Sequence, residues 1–417
     1  MKKIFFKLGI IMSFFAINSC SKDPVKLIVY KNPNLEFLLS QYQQDSLTKD
    51  EFIAVKVKKK GTYKIEEEEA KKMLAEFRGD LTKSGNKVIK SSKLKKSRRN
   101  QSLYYEMEFS TKGGGYAIVS ADERVPEVLC FVEQGQIEDT INNPILKEYF
   151  RMVAFYVESN TRRDLNLDSL CHSFKKKNAE MLTKSLPAFD PNVWTYQMPV
   201  YRIDSIIRIK TVPVKWGQSA PFDISPAGCS SVAVAQVMAY HKKAYKDIVL
   251  GSSMWNAMIQ NNLHSAIPVL LEDIKDDLYW FFNSITPFMS GVRSLLQDNG
   301  YSMGDVCKEY NFDIILEALK YGPTIISGME SLTNGHYWVI DGVKKTTHYS
   351  FDLYTYQYGN KVFEHYDLKY VLTPKYVHFN WGWRGQHDGW YSSNVFSYID
   401  NDATMYDERV RILESIQ

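Results

Sequence analysis

The chain has 417 residues, 44% of them hydrophobic and 14% aromatic, which is enough for two globular cores. Its 52 Lys and Arg residues nearly balance 48 Asp and Glu residues, and the net charge of +4 argues against a nucleic-acid partner. The sequence also contains no phosphate-binding loop, RNA-binding signature or internal repeat, which excludes those classes of protein.

The N-terminus combines a basic start with a short apolar stretch. Residues 8–17 are too few to span a bilayer, and small residues then lead to Cys20. This pattern resembles the lipobox of bacterial lipoproteins, which implies removal of residues 1–19 and lipidation of Cys20. Because no Asp follows Cys20 directly, we expect an outer-membrane lipoprotein or cell-surface protein of a diderm bacterium. An uncleaved or ordinary secretory signal is the alternative.

A first folded region is predicted between this signal and the middle of the chain. Apolar residues at helical spacing predict a helix from Glu66 to Phe77 and a second helix beginning at Pro144. Strand patterns on both sides of three glycines predict a hairpin of Tyr104–Phe109 with Tyr116–Val119. We assign residues 20–157 to this region. Residues 158–200, which are rich in Arg, Lys and Asn, are assigned to an exposed linker in which we expect the processing site.

Cys229 directly follows a turn and begins a helical run. A thiol in the first turn of a helix lies near exposed backbone amides and the positive end of the helix dipole, which favour the nucleophilic thiolate. A lone Cys at a helix start is more often a small buried core residue. The functional interpretation therefore depends on residues further along the chain.

Two later segments supply the partners that a thiol nucleophile needs. His336 follows a loop and opens a short apolar strand, where an imidazole base can face a cleft. Asn380 precedes Trp381, so an amide that can hold an imidazole in one tautomer lies beside an indole that can shield it. The order Cys, His, Asn is that of the papain type.

Five separated motifs make the similarity to papain-type enzymes more specific. They are Trp216-Gly217-Gln218, Gly228-Cys229 with Ala235-Gln236, Gly335-His336 with Asp341-Gly342, Asn380-Trp381-Gly382-Trp383, and Asp388-Gly389-Trp390. In this order, over roughly the last half of the chain, they resemble the streptopain family of papain-like cysteine peptidases. Five motifs in order are far more specific than one.

The resemblance implies a role for each matched residue. Cys229 would be the nucleophile, and His336 the base that takes its proton and delivers it to the leaving amine. Asn380 and Trp381 would orient and shelter His336. Gln218 would join the backbone N–H of Cys229 as an oxyanion donor, a type of contact worth about 3 kcal/mol in the transition state. The loop between Gln218 and Cys229 is shorter than the family's, which leaves the substrate preference open.

The resemblance extends to the first folded region, since residues 114–122 and 126–129 look like the inhibitory propeptide of streptopain-type enzymes. We therefore expect an α+β papain-like catalytic domain at 201–417, preceded by a smaller α+β prodomain. The expected activity is that of a cysteine endopeptidase made as a zymogen. Its partners would be protein or peptide substrates, its own prodomain as intramolecular inhibitor, and the membrane through the lipid on Cys20. An unrelated binding domain is the alternative for the first region.

The cysteine pattern suits a thiol enzyme. The five cysteines are Cys20, Cys130, Cys171, Cys229 and Cys307. No C-x-x-C pair occurs and the eight His residues have no metal-ligand spacing, so we expect no cofactor, no metal and no essential disulfide. A single bridge among Cys130, Cys171 and Cys307 remains open.

Two other functions are compatible with the residues. One is a surface lipoprotein that binds peptides or host proteins with a degenerate site, which the presence of Gln218, Cys229, His336 and Asn380 disfavours. The other is a Cys-His amidase or acyl transferase on the same fold, which the triad alone does not reject. A thiol probe separates an enzyme from a binder, and a comparison of protein with small-amide substrates separates a peptidase from an amidase.

Overall fold

The computed structural model describes residues 27–28, 64–79, 88–110, 113–122, 124–125, 128–137, 144–162, 195–218, 227–279, 289–307, 309–329, 335–358, 361–396, 411–413 and 415–417. The predicted signal with Cys20, most of the predicted linker, and Cys171 lie outside these residues. Within them, no helix combines the length and the apolar character needed to cross a bilayer.

The fold is α+β, as predicted. The described helices are α1 (Glu67–Gly79), α2 (Pro144–Arg162), α3 (Cys229–His241), α4 (Ser252–Gln260), α5 (Ala266–Tyr279), α6 (Met289–Asp298) and α7 (Phe312–Ala318). The described strands are β1 (Leu27–Ile28), β2 (Ile89–Lys96), β3 (Ser102–Phe109), β4 (Tyr116–Ser120), β5 (Val128–Val132), β6 (Thr195–Ile209), β7 (Val306–Cys307), β8 (Thr324–Met329), β9 (Gly335–Tyr358), β10 (Lys361–Leu372), β11 (Lys375–Asn380), β12 (Gly389–Ser392) and β13 (Arg411–Leu413).

One antiparallel sheet joins these strands. Its order is β2-β3-β4-β5-β12-β11-β9-β8-β13-β7, and β6 and β10 both pair with the long strand β9. The N-terminal strands enter this sheet through β5, which pairs with β12 between Gly389 and Val132 and between Tyr391 and Cys130. The first folded region and the C-terminal part of the chain therefore share one hydrogen-bonded sheet.

Helices pack on both faces of the sheet. Successive side chains of a strand point to opposite faces, so one strand contributes to the cores on both sides. Trp338 and Ile340 of β9 pack in one core with α2 and α7. Tyr337 and Val339 of the same strand pack on the opposite face, in a core with α3 to α6. A third core lies under α1, against strands β3 to β5 and residues of β11 and β12.

The predicted elements of the first region are present. The helix predicted at 66–77 is α1, the helix predicted from Pro144 is α2, and the predicted hairpin is β3 with β4, whose register pairs Tyr104 with Ser120. The element bounds differ from the predicted domain bounds. Helix α2 continues past 157 to Arg162, and strand β6 begins at Thr195, ahead of 201.

Candidate active site

Cys229 occupies the first position of α3. The preceding residue, Gly228, has a φ of 85°, and a Cβ at that position would come within 2.9 Å of the Tyr279 hydroxyl oxygen, so glycine is needed on both counts. The rest of the helix is almost wholly buried, since small and β-branched residues let it pack closely on β9. Cys229 itself is half-buried at the N-terminal end of this helix.

The surroundings of the Cys229 sulfur keep it protonated at rest. Burial raises the pKa of this thiol above its ordinary value, and backbone hydrogen bonds from Tyr337, Ser230 and Cys229 itself oppose that rise. These amides are ready donors for a sulfur that becomes negative. The amide of Tyr337 also places the sulfur against the residue that follows His336 in β9.

His336 lies in an aromatic enclosure and is only 4% exposed. Its ring stacks on Trp338 and Trp381 with centroids 6.0 Å away in each case, and meets Trp383 edge-on at 5.6 Å. Burial lowers the pKa of His336 to about 4, so the imidazole is neutral at neutral pH.

A backbone carbonyl selects the tautomer of His336. The Nε2 atom lies 2.9 Å from the carbonyl oxygen of Trp381. A carbonyl can only accept a hydrogen bond, so Nε2 carries the proton and Nδ1 is the basic nitrogen. Within the described part of the chain, Cys229 and His336 do not hydrogen-bond each other. Cys229 packs with Tyr337 on the face of the sheet that α3 covers, whereas the His336 ring lies with Trp338 on the opposite face.

The Asn380 side chain has a different position from the one expected of a direct orienter. Asn380 pairs with Val339, and its side chain is directed toward α3, where Oδ1 accepts a hydrogen bond from Gln236 Nε2 at 3.0 Å. His336 instead stacks on Trp338 on the other face of the sheet. The alternation of side chains along β9 and β11 thus separates the amide from the imidazole.

Asn380 nevertheless reaches His336 indirectly. Its Oδ1 also accepts the backbone N–H of Gly382 at 3.1 Å. That N–H belongs to the same peptide plane as the Trp381 carbonyl that binds His336. Asn380 and Trp381 therefore both contribute to holding the imidazole, one through a backbone plane and the other through its carbonyl and its ring.

Gln218 lies near the start of α3. Its backbone carbonyl accepts the N–H of Ala227 at 2.7 Å, which brings Gln218 next to the residues before Cys229. Gln218 is half-buried, and the motif residue Trp216 is fully buried in the core around α3. The oxyanion role of the Gln218 side chain stays a prediction.

Sequence reasoning assigned no role to Gln236 or Asp388, although both belong to the quoted motifs. Gln236 is fully buried and is the single amide in an apolar helix, a signal that could have marked it as the partner of another buried polar group. Asp388 is 7% exposed, and its Oδ1 accepts the backbone N–H of Trp381 at 2.9 Å.

Asp388 lies in a cluster of titratable groups that also contains His378 and Asp341. His378 Nδ1 lies 2.5 Å from Asp341 Oδ1, and the other oxygen of Asp341 accepts the N–H of Val212 at 3.0 Å. Burial works to lower the pKa of His378, but the Asp341 carboxylate outweighs it and the pKa is raised. Burial raises the pKa of Asp388 to about 7, against the opposing effects of the Trp381 amide, His378 and Lys215.

Comparison with known proteins shows that one segment of the chain is similar to a known family. Residues 290–391 match the model of the Peptidase C10 family, a segment that contains His336, Asn380, Trp381 and Asp388 but not Cys229. No curated protein matches the chain. A solved fragment of prointerpain A from Prevotella intermedia, with one cysteine replaced by alanine, is 17% identical, covers 78% of this chain and 98% of that fragment, and has a TM-score of 0.42. From 290 to 391 the chain is therefore similar to the Peptidase C10 family, which confirms over this segment the resemblance to the streptopain family of cysteine peptidases.

Proposed function

We propose that the chain is a cysteine endopeptidase in which Cys229 is the nucleophile and His336 the general base. The family match supports a cysteine peptidase. The observation that carries the residue assignment is the packing of Cys229 against the core that contains Tyr337, because it brings the first turn of α3 near the residue next to His336. Trp381 and Asn380 complete the surroundings of the imidazole.

The proposed reaction begins from a neutral pair. The His336 ring must first reach Cys229 from the opposite face of the sheet, where it stacks on Trp338. Its Nδ1 then takes the thiol proton as the Cys229 sulfur attacks the carbonyl carbon of the scissile bond. The oxyanion that forms is met by the backbone N–H of Cys229 and the side-chain amide of Gln218. His336 then gives the proton to the leaving amine, and a thioester remains on Cys229. Water, deprotonated by His336, hydrolyses the thioester and restores the thiol.

We further propose that the protein is made as a latent precursor, with residues 20–157 as its prodomain. Support comes from the packing of α2, whose Ile145 lies in the same core as Trp338, the residue on which His336 stacks. A Cβ built on Gly328 would meet both Ile145 Cδ1, at 2.9 Å, and Trp338, at 3.2 Å. The side chain of Trp338 thus connects α2 of the first region with the proposed base, His336. In this proposal Cys20 anchors the precursor in the outer membrane through lipid.

The function is tested with a thiol-reactive peptidyl probe and two substrate classes on purified protein. We expect the probe to label Cys229 and denatured casein to be cleaved at internal bonds, while small amides such as glutamine are left intact. Labelling with hydrolysis of small amides alone would replace the peptidase by an amidase. A chain that neither reacts with the probe nor cleaves casein after cutting within 163–194 would be a binding protein.

A further inference from the structure

We propose that Asp388 is a positioning residue for His336, acting through the backbone of Trp381. This inference rests on the peptidase function proposed above. The Asp388 carboxylate accepts the N–H of Trp381 at 2.9 Å, and the carbonyl of Trp381 accepts the Nε2–H of His336 at 2.9 Å. One residue thus connects a buried carboxylate to the imidazole.

The connection matters because the turn between β11 and β12 is conformationally unusual. Gly382, Arg384, Gly385 and His387 all have positive φ, at 71°, 58°, 81° and 63°. Left-handed backbone at the non-glycine residues costs free energy and persists only where surrounding contacts hold it. Asp388 returns across this turn to bind Trp381, so its carboxylate closes the turn at the point where the His336 acceptor lies.

Trp381 is held on both sides. Asp388 binds its N–H, and Asn380 Oδ1 binds the N–H of Gly382, in the peptide plane that presents the carbonyl to His336. Trp381 is fully buried, so without the carboxylate its N–H would lose its partner in a site from which water is excluded. Removing that partner is therefore expected to move the backbone and release the tautomer of His336.

The charge of Asp388 gives this arrangement a pH dependence. The groups that face Asp388 are His378 on β11, Asp341 on β9 and Lys215 before α3, and Glu133 after β5 acts on His378. A carboxylate is a stronger acceptor than a protonated carboxyl. The hold on Trp381 is thus strongest above the Asp388 pKa of about 7 and weakens as the pH falls below it.

The test compares Asp388→Ala with the matched variant Asp388→Asn in full-length protein cut within 163–194. Asn keeps an oxygen that can accept from Trp381, whereas Ala removes it. We expect Asp388→Ala to lower kcat by about tenfold or more with KM nearly unchanged, as positioning partners of catalytic groups do. Asp388→Asn should lose less kcat than Asp388→Ala, and it should lose the part of the kcat profile that titrates near pH 7. Equal loss in both variants, or no loss in Asp388→Ala, would overturn the proposal.

A second readout is independent of peptidase activity. Nitrogen-15 NMR of the His336 ring, in protein carrying Cys229→Ala and assigned with His336→Gln, reports which nitrogen holds the proton. We expect the Nε2–H tautomer in the parent and in Asp388→Asn, and a mixture in Asp388→Ala. An unchanged tautomer in Asp388→Ala contradicts the inference. If Asp388→Ala fails to fold, Asp388→Asn decides through its pH profile. A protein with no peptidase activity whose His336 signals still respond would refute the function and leave the positioning role.

Discussion

Gln236 donates its side-chain N–H to the carboxamide oxygen of Asn380, with 3.0 Å between Nε2 and Oδ1, and both residues are nearly or completely buried. The bond joins α3, which carries Cys229, to the end of β11, which leads to the acceptor of His336. The helix of the nucleophile and the backbone that holds the base are therefore linked by a polar contact inside the core.

Asn380→Ala is expected to slow turnover but leave measurable activity. The substitution removes the acceptor of Gly382 N–H and so loosens the peptide plane that holds His336, while His336 itself remains. Steady-state kinetics beside His336→Ala check this. A variant as inactive as His336→Ala would give Asn380 a larger role, and one equal to wild type would give it none.

Gln236→Met, of similar volume, should impair the same step because it removes one of the two donors to the Asn380 side-chain oxygen. Since the two side chains are in contact, the double variant Gln236→Met with Asn380→Ala should show a coupling energy of about 0.5 to 3 kcal/mol in kcat/KM. Additive effects within the error of the cycle would mean that the contact does not serve the reaction.

Cys229→Ala should abolish proteolysis and any self-cleavage while leaving the fold intact, because the thioester cannot form without the sulfur. Cys130 provides the matched control, since it is also a free thiol but is fully buried, and burial holds its pKa far above the ordinary range. Iodoacetamide should modify Cys229 and not Cys130 in the folded protein. Casein hydrolysis by Cys229→Ala would contradict the assignment, as would loss of activity in a folded Cys130→Ala variant.

Local patterns predicted the elements of the first region, and separate motifs named the residues of the candidate site, because both depend on neighbours in sequence. The apolar residues at helical spacing in α1 and α2, and the glycines between β3 and β4, are local patterns of this kind. The pairing of β5 with β12 and the contact of Gln236 with Asn380 do not, since each joins residues more than a hundred positions apart whose meeting is decided by register. The same register explains why Asn380 faces α3 and not His336.

The stability of the protein should depend on pH through His336. Its pKa is about 4 in the folded state, below the value of about 6.5 for an unfolded chain. The folded state therefore binds fewer protons, so the contribution of His336 is complete above pH 6.5 and is lost as the pH falls toward 4. In a Cys229→Ala background, the free energy of unfolding should fall by about 3 kcal/mol more over this range than in a variant that also carries His336→Gln. Parallel pH curves for the two proteins would disprove the burial of a neutral imidazole.

The mature protein should begin at Cys20 and carry lipid. One acyl chain holds a protein only marginally, whereas several chains on one Cys make it stably membrane-bound. Fatty-acid labelling of cells expressing the wild type and Cys20→Ala checks this, with Cys171→Ala as a control. Unchanged label in the Cys20 variant would refute the anchor.

Latency predicts that the uncut chain is weakly active and that cutting within 163–194 raises its activity. The shared sheet adds that the two pieces should remain associated after the cut, because α2 and β5 pack in cores that also contain residues of β11 and β12. Gel filtration after limited proteolysis should show both pieces in one peak, with peptide hydrolysis followed in parallel. Saturable inhibition of residues 201–417 by added residues 21–157 would support inhibition, whereas full activity of the uncut chain would leave the first region as an interaction module.

Gly389 has a consequence for how the two pieces could ever part. A side chain at this position would collide with the Phe131 carbonyl, and its Cβ would lie 2.9 Å from the Cα of Val132, so only glycine lets β12 pair with β5 at this position. Departure of the first region must then break that ladder and expose the aromatic side chains beneath it at the same time. Its rate would follow the kinetics of unfolding, rising steeply with denaturant and temperature, and would be insensitive to dilution. The time for which the two pieces of the cut protein stay associated would therefore be set by the activation barrier to breaking the β5–β12 ladder, and not by the affinity between two preformed surfaces.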